Sequence, residues 1–471
     1  MQAAGSRSDA VVLARRGLWV VLPLGCAVWV LAISTHYYPV WDEWDMVNRA
    51  TSISPLRALF IGFNGHMWSL ASAAYDVQVR LLGLQSNWLL PLAMVASLAA
   101  LQLSAAAVLV RLRVPSVVAL LAATVVTFFG PGSEEMVYQN LFPHNFAIAF
   151  SLAAAFVALG ARRDRTTAVV VAALSIAALP CDSAFALGAL FFTATLVLVL
   201  WPFRLAVIAL VPPLVGNVVW FFFDRSQVIV PSGCPRCDLT TVAAPLGDRV
   251  GFARAILVRS AGGLVGGGAT AGAIVIVVGA ALVVLAVVLR CLSRPVVAGL
   301  VGGVVAALAL AASIGWSRAG YWPSLDEAIT ALQAPSNRYV RPAAIFLMLA
   351  IVPVATALAR TTSARTATVI GVVASVGLVA VFVVNLGDVR ETHDFYVSWG
   401  DNVEQDFRET VTVITEGCPP GTRLDEHAEP LQLSFQASVP LVRDLVDRGA
   451  VPRDFGRPPS EATLARLCRG S

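Results

Sequence analysis

Long apolar runs alternate with short arginine-bearing links along most of the chain. Eleven runs stand out, near residues 17–35, 88–110, 115–130, 143–160, 166–181, 184–202, 205–223, 267–290, 295–315, 342–359 and 367–386. A helix that crosses the hydrocarbon core needs about 20 mostly apolar residues. The runs at 115–130 and 166–181 are the shortest. The pattern predicts an all-α polytopic membrane protein with about eleven transmembrane helices. The first run follows Arg7, Arg15 and Arg16, as the apolar part of a cleavable leader would. It is long enough to span and no small-x-small cleavage site follows it, so it reads as the first transmembrane helix.

Arginine placement orients the chain. Arg111 and Arg113, then Arg162, Arg163 and Arg165, then Arg204, Arg290 with Arg294, and Arg360 with Arg365 fall at alternate junctions. They share a side with the N-terminal arginines. Cytoplasmic links carry the excess of positive charge, so that side is expected to be cytoplasmic. An odd number of spans places the C-terminus outside, in a multi-pass protein of the cell membrane. The long loops, about 36–87, 131–142, 224–266 and 316–341, then lie on the external side with the tail. All five histidines fall there too (His36, His66, His144, His393 and His427). Chemistry is expected on that side, because links of a few residues cannot build a site.

Composition agrees with this picture. The 471 residues are 58% hydrophobic and 13% charged, against roughly 25% charged in a soluble domain. A net charge of +4 is too small and too scattered to argue for nucleic acid. No lysine occurs, and the alanine, valine, glycine and arginine usage suggests a G+C-rich bacterial genome. Residues 387–471 differ, with nine arginines against fifteen acids. They are expected to form a small α+β extracytoplasmic domain beyond a transmembrane domain of residues 1–386. Cys418 and Cys468 are the tail's two cysteines, and in an oxidising compartment they suggest a disulfide. Cys234 and Cys237 form a CxxC in an external loop. With no thioredoxin-like unit around them they read as a local disulfide.

The first external loop holds the densest candidate chemistry. From His36 to Asp45 it places Asp42, Glu43 and Asp45 around Trp41 and Trp44. Aromatic anchors hold such a stretch at headgroup depth, where burial and mutual repulsion raise carboxylate pKa values. The cluster can supply a general base or hold a divalent cation. Its plainer reading is an interfacial loop with solvated acids. His66 and an amphipathic helix ending near Leu84 follow. The next external loop carries Glu134, Glu135, Gln139 and His144. Asp182 sits at a tight external turn, lining a polar cavity or capping a helix. Arg338, Tyr339 and Arg341 precede a later span. These arginines either snorkel to lipid phosphate or bind a substrate phosphate through their planar donor forks.

This layout resembles the GT-C superfamily of membrane glycosyltransferases. The likeness rests on Trp41–Asp45, 65–84, 135–146, 181–187 and Arg338–Tyr339. It is nearest to uncharacterised bacterial members, in the company of actinobacterial enzymes of the same superfamily. The resemblance implies transfer of a sugar from a polyprenyl-phosphate donor to an extracytoplasmic envelope acceptor, whether glycan, lipid or protein. Asp42 would be the general base, with Glu43 beside it and Asp45 able to replace either. His66, Gln139, His144, Asp182, Arg338, Tyr339 and Arg341 would bind substrate. Glu134 and Glu135 take the place of an acidic motif that binds a divalent cation, Mg or Mn, in part of the superfamily. Here the motif is Glu-Glu and not Asp-x-Asp. A transporter or flippase for a lipid-linked envelope molecule is the alternative, though few charges lie mid-helix and no repeat is visible. A non-catalytic membrane scaffold is the third reading. The glycines at 262–268 read as helix packing, not as a phosphate cradle.

Overall fold

The computed structural model describes residues 3–34, 38–39, 42–60, 62, 67–84, 88–224, 244–321, 324–333, 337–425, 428, 438–453, 455–456 and 458–470. The chain opens with α1 (Ala3–Ser34). Three short helices follow: α2 (Asp42–Ser52), α3 (Pro55–Ala58) and α4 (Ser69–Val77), the last continued by a π turn. Next come α5 (Leu89–Arg111), α6 (Ser116–Thr127), the four-residue α7 (Glu134–Val137), α8 (Phe142–Ala158), α9 (Arg165–Ala178), α10 (Ser183–Leu200) and α11 (Phe203–Asp224). Then α12 (Leu246–Gly263), α13 (Ala269–Val288), α14 (Arg294–Arg318), α15 (Leu325–Gln333) and α16 (Arg341–Ala359) lead to α17 (Ala364–Glu416). The tail adds α18 (Val439–Asp447) and α19 (Glu461–Leu467). β1 (Thr422–Leu424) precedes them and β2 (Cys468–Gly470) follows them, the two strands paired antiparallel.

Nine helices among the described residues are long and apolar enough to cross a membrane, and α6 and α9 are shorter apolar helices. They match the eleven apolar runs. Central helices are enclosed by their neighbours, with 72% of the α8 window buried. By contrast α13, the most apolar at a mean hydropathy of 3.0, is 17% buried, and the apolar part of α17 is 0% buried. A helix that is apolar all round and unburied is stable only where its solvent is lipid. Close packing at the α12–α13 turn depends on glycine. A Cβ on Gly272 would lie 1.8 Å from the Val258 carbonyl oxygen.

Two apolar cores result. One fills the bundle, with residues such as Leu101, Leu152, Phe192, Leu310 and Phe346. The other lies at one end and joins the first loop to the tail: Trp44, Val47, Tyr75, Tyr138, Tyr396, Phe407, Leu441 and Leu445. Trp44 packs on Phe407 with ring centroids 5.2 Å apart. The Leu84 N–H donates to the Ala450 carbonyl at 2.9 Å. The boundary expected at residue 387 therefore falls inside α17, which runs unbroken for 53 residues, about 80 Å at 1.5 Å per residue. Cys418 and Cys468 are joined, with Cα atoms 5.8 Å apart, and the bond ties the end of α17 to β2. The CxxC at Cys234 and Cys237 lies outside the described residues.

Candidate functional site at one end of the bundle

Glu134 and Glu135 form the first turn of α7, which begins at a tight turn of backbone after Phe129. Side chains one residue apart on a helix point in different directions, and these two acids serve different neighbours. Glu134 turns to the segment before α16 and to the outer half of α17. Its Oε2 accepts the Arg338 backbone N–H at 3.2 Å, and its Oε1 lies 3.7 Å from Arg338 Nη1. The Tyr396 hydroxyl donates to that Oε1 at 3.1 Å. Burial pushes the Glu134 carboxyl above the usual range, while Arg338 and Tyr396 pull it back. Tyr396 is itself fixed by stacking on Tyr138, with centroids 5.5 Å apart.

Glu135 turns into the bundle. Its Oε1 meets His144 Nδ1 at 3.0 Å and its Oε2 lies 3.6 Å from Arg341 Nη1. The other ring nitrogen of His144 meets Asp182 Oδ2, also at 3.0 Å. A neutral imidazole carries one N–H. Satisfying both contacts takes a second proton, on the ring or on an acid. Asp182 also caps α10, its Oδ1 accepting the N–H groups of Ala184 and Phe185 at 2.8 and 2.9 Å. The capping reading of Asp182 is thus seen, and its second oxygen is turned to His144. Arg341, at 1% exposure, donates to the Asn145 amide oxygen at 2.8 Å and the Val126 carbonyl at 3.1 Å. It neither snorkels nor faces open space.

The first loop is laid against this network. The Met67 N–H donates to Ser183 Oγ and the Leu70 N–H to the Pro180 carbonyl, both at 3.0 Å. The Trp68 ring stands edge-on to His144 at 4.9 Å. In α2, Glu43 is fully buried and accepts the Tyr75 hydroxyl at 2.6 Å. Its carboxylate lies within electrostatic reach of Tyr396. Asp45 is paired with Arg49 at 3.0 Å, and Arg49 also donates to the Gly62 carbonyl. Asp42 opens α2, and its side chain and the whole of His66 lie outside the described residues. Gln139 and Asn140 are buried between α7 and α8. Among the described residues, both polar atoms of Gln139, and Asn140 Oδ1, have no hydrogen-bond partner. Tyr339 has the guanidinium of Arg338 at 5.5 Å and that of Arg318 at 6.0 Å from its ring centre. Burial would raise its phenol, but the two cations outweigh burial and lower it.

Glu43, Glu134, Glu135, His144, Asp182, Arg338 and Arg341 are therefore gathered at one end of the bundle. Asp45 is engaged locally. Sequence reading missed Tyr75, Asn145 and Tyr396. Tyr396 lies 262 residues from its partner Glu134, in a segment read as a separate domain, and no local motif marks it. Asp388 was missed too. A Cβ on Gly130 would lie 2.2 Å from its Oδ2, so glycine at 130 admits that carboxylate against the turn before α7.

By its structural likeness this polytopic helical bundle has a GT-C-like fold. One solved structure similar to it is ArnT from Cupriavidus metallidurans bound to undecaprenyl phosphate. The likeness covers 94% of this chain and 89% of that chain, at 15% sequence identity and a TM-score of 0.51. No protein-family model and no curated protein sequence matches the chain.

Proposed function

We propose that this chain is a membrane glycosyltransferase that moves a sugar from a polyprenyl-phosphate donor to an extracytoplasmic acceptor of the cell envelope. The observation that carries this reading is the convergence of three elements on one end of a GT-C bundle. These are the acid-bearing α2, the Glu134–Glu135 turn and the arginines at the start of α16. The similar fold of ArnT was solved bound to undecaprenyl phosphate, which supports a lipid phosphate as this chain's ligand. In the proposed step the acceptor hydroxyl attacks the anomeric carbon and gives its proton to Asp42. The bond from that carbon to the phosphate oxygen breaks, and the electron pair leaves with the lipid phosphate. Arg338 faces the charge that grows there. Such a step needs a base and a cation clamp, and no nucleotide fold.

The test compares lipid-linked sugar pools and envelope glycans in cells carrying the parent chain, Asp42→Asn or Arg338→Gln. Donor is expected to accumulate and product to fall in both variants. Unchanged pools, with the variants correctly inserted, would sink the transferase reading. Net movement of an unmodified lipid-linked molecule across the bilayer would favour a flippase instead.

A further inference from the structure

The GT-C resemblance puts a divalent cation at the paired acids of the second loop, yet the donors around Glu134 and Glu135 are of another kind. Each of the four carboxylate oxygens already has a protein donor within 3.7 Å: Tyr396 and Arg338 on Glu134, His144 and Arg341 on Glu135. The two carboxylates also open in different directions, one toward α17 and one into the bundle. A magnesium-like ion demands near-octahedral oxygen ligands at about 2.0–2.1 Å. Among the described residues no group of three or more His, Cys, Asp or Glu is placed to hold a metal ion. The acids do not fit such an ion. They fit the two cations they have, one arginine for each glutamate.

We propose that Arg338 and Arg341 take the electrostatic place of a divalent cation at Glu134–Glu135, with Arg338 presented to the donor phosphate and Tyr396 its positioning residue. This rests on the transferase reading above. The two arginines divide the work by burial. Arg341 is held by Glu135, Asn145 and the Val126 carbonyl, and at 1% exposure it fixes the start of α16. Arg338 has a side chain 22% exposed, so a ligand can reach it. Glu134 grips Arg338 through both backbone and side chain, and Tyr396 holds the Glu134 oxygen that faces the guanidinium. Tyr396 thus acts through Glu134, and it brings the outer half of α17 into the site.

Two measurements test this. Mn2+ binding is read by equilibrium dialysis on the purified full chain in detergent, beside Glu134→Gln and Glu135→Gln. No stoichiometric site that depends on either glutamate is expected. One Mn2+ per chain, lost in either variant, overturns the proposal. This result does not depend on whether the chain transfers sugar. The second measurement is donor kinetics with excess chelator. Chelator is expected to leave the parent rate unchanged. Tyr396→Phe loses a buried hydrogen bond to a charged group and is expected to melt lower while staying folded. Because it acts by positioning Arg338, it is also expected to raise the donor KM about tenfold with kcat little changed. Loss of the parent rate in chelator, or an unchanged KM in Tyr396→Phe, counts against it. A parent chain that transfers no sugar fails the transferase reading, while the dialysis still decides the cation question.

Discussion

Arg338 and Arg341 are three residues apart, yet one is reachable and the other sealed. Sequence alone left both as phosphate ligands or lipid anchors. Residue type and loop were legible, because acids, histidine and arginine stand out in an apolar chain. Pairing was not, because Glu134 and Arg338 are 204 residues apart and only tertiary packing sets such a distance. Glu134 yields a pH prediction. Burial raises its folded-state value above 4.5, so the folded chain holds that proton longer than the unfolded chain. The group's contribution to stability is full below the unfolded value and is lost as pH rises through the folded one. Glu134→Gln lacks this dependence. Melted between about pH 4 and pH 8, it should gain on the parent as pH rises; a constant gap would refute the sign. Asp182 gives a second test. Asp182→Asn keeps the cap on α10 and drops the charge facing His144, whereas Asp182→Ala loses both. The alanine variant should melt lower, the cap being worth about 1 kcal/mol. Equal melting would remove the cap from the account.

At the scale of elements, α17 carries the chain unbroken across the change of composition at residue 387. The shift at residue 387 from apolar to charged looks like a domain boundary. It marks a change of solvent, from lipid to water, along one continuous helix. Beyond that point the buried residues Val389, Thr392, Tyr396, Gly400, Val403, Phe407 and Val411 recur every three or four positions, the signature of a one-sided helix. That stripe meets α2 and α18 in the second core. The tail is thus packed on the first loop, with its end tied to α17 by Cys418–Cys468. Closing a loop of 50 residues restrains the unfolded chain by about 4 kcal/mol in the chain-entropy model. Replacing both cysteines with serine should speed hydrogen exchange across α18 and α19. It should also speed exchange in α2, because the two share apolar contacts. Faster exchange in the tail with α2 unchanged would mean that the shared core does not couple them.

At the scale of the whole molecule, the number of spans and their direction constrain each other. The helices α6 and α9, at 12 and 14 residues, are about 18 and 21 Å long, short of a hydrocarbon core of about 30 Å. Nine spans and eleven both put the C-terminus opposite the N-terminus, so a reporter at Ser471 cannot tell them apart. The segments between α5 and α10 can. With eleven spans, the turn at Gly132 is external and the Arg162–Arg165 link is cytoplasmic. With nine, both assignments reverse, and Arg162, Arg163 and Arg165 would face outward against the positive-inside rule. Glu134 would then be separated by the bilayer from α2, whose Glu43 it approaches through Tyr396. Burial also explains how short helices can cross. α6 is enclosed by neighbours along most of its length, and flanking apolar residues such as Phe128 and Phe129 extend its apolar reach. Alkaline phosphatase fused after Gly132 should therefore be active, and fused after Arg162 inactive. The reverse pair of results would leave the acids of the second loop on the wrong side of the membrane for the chemistry proposed.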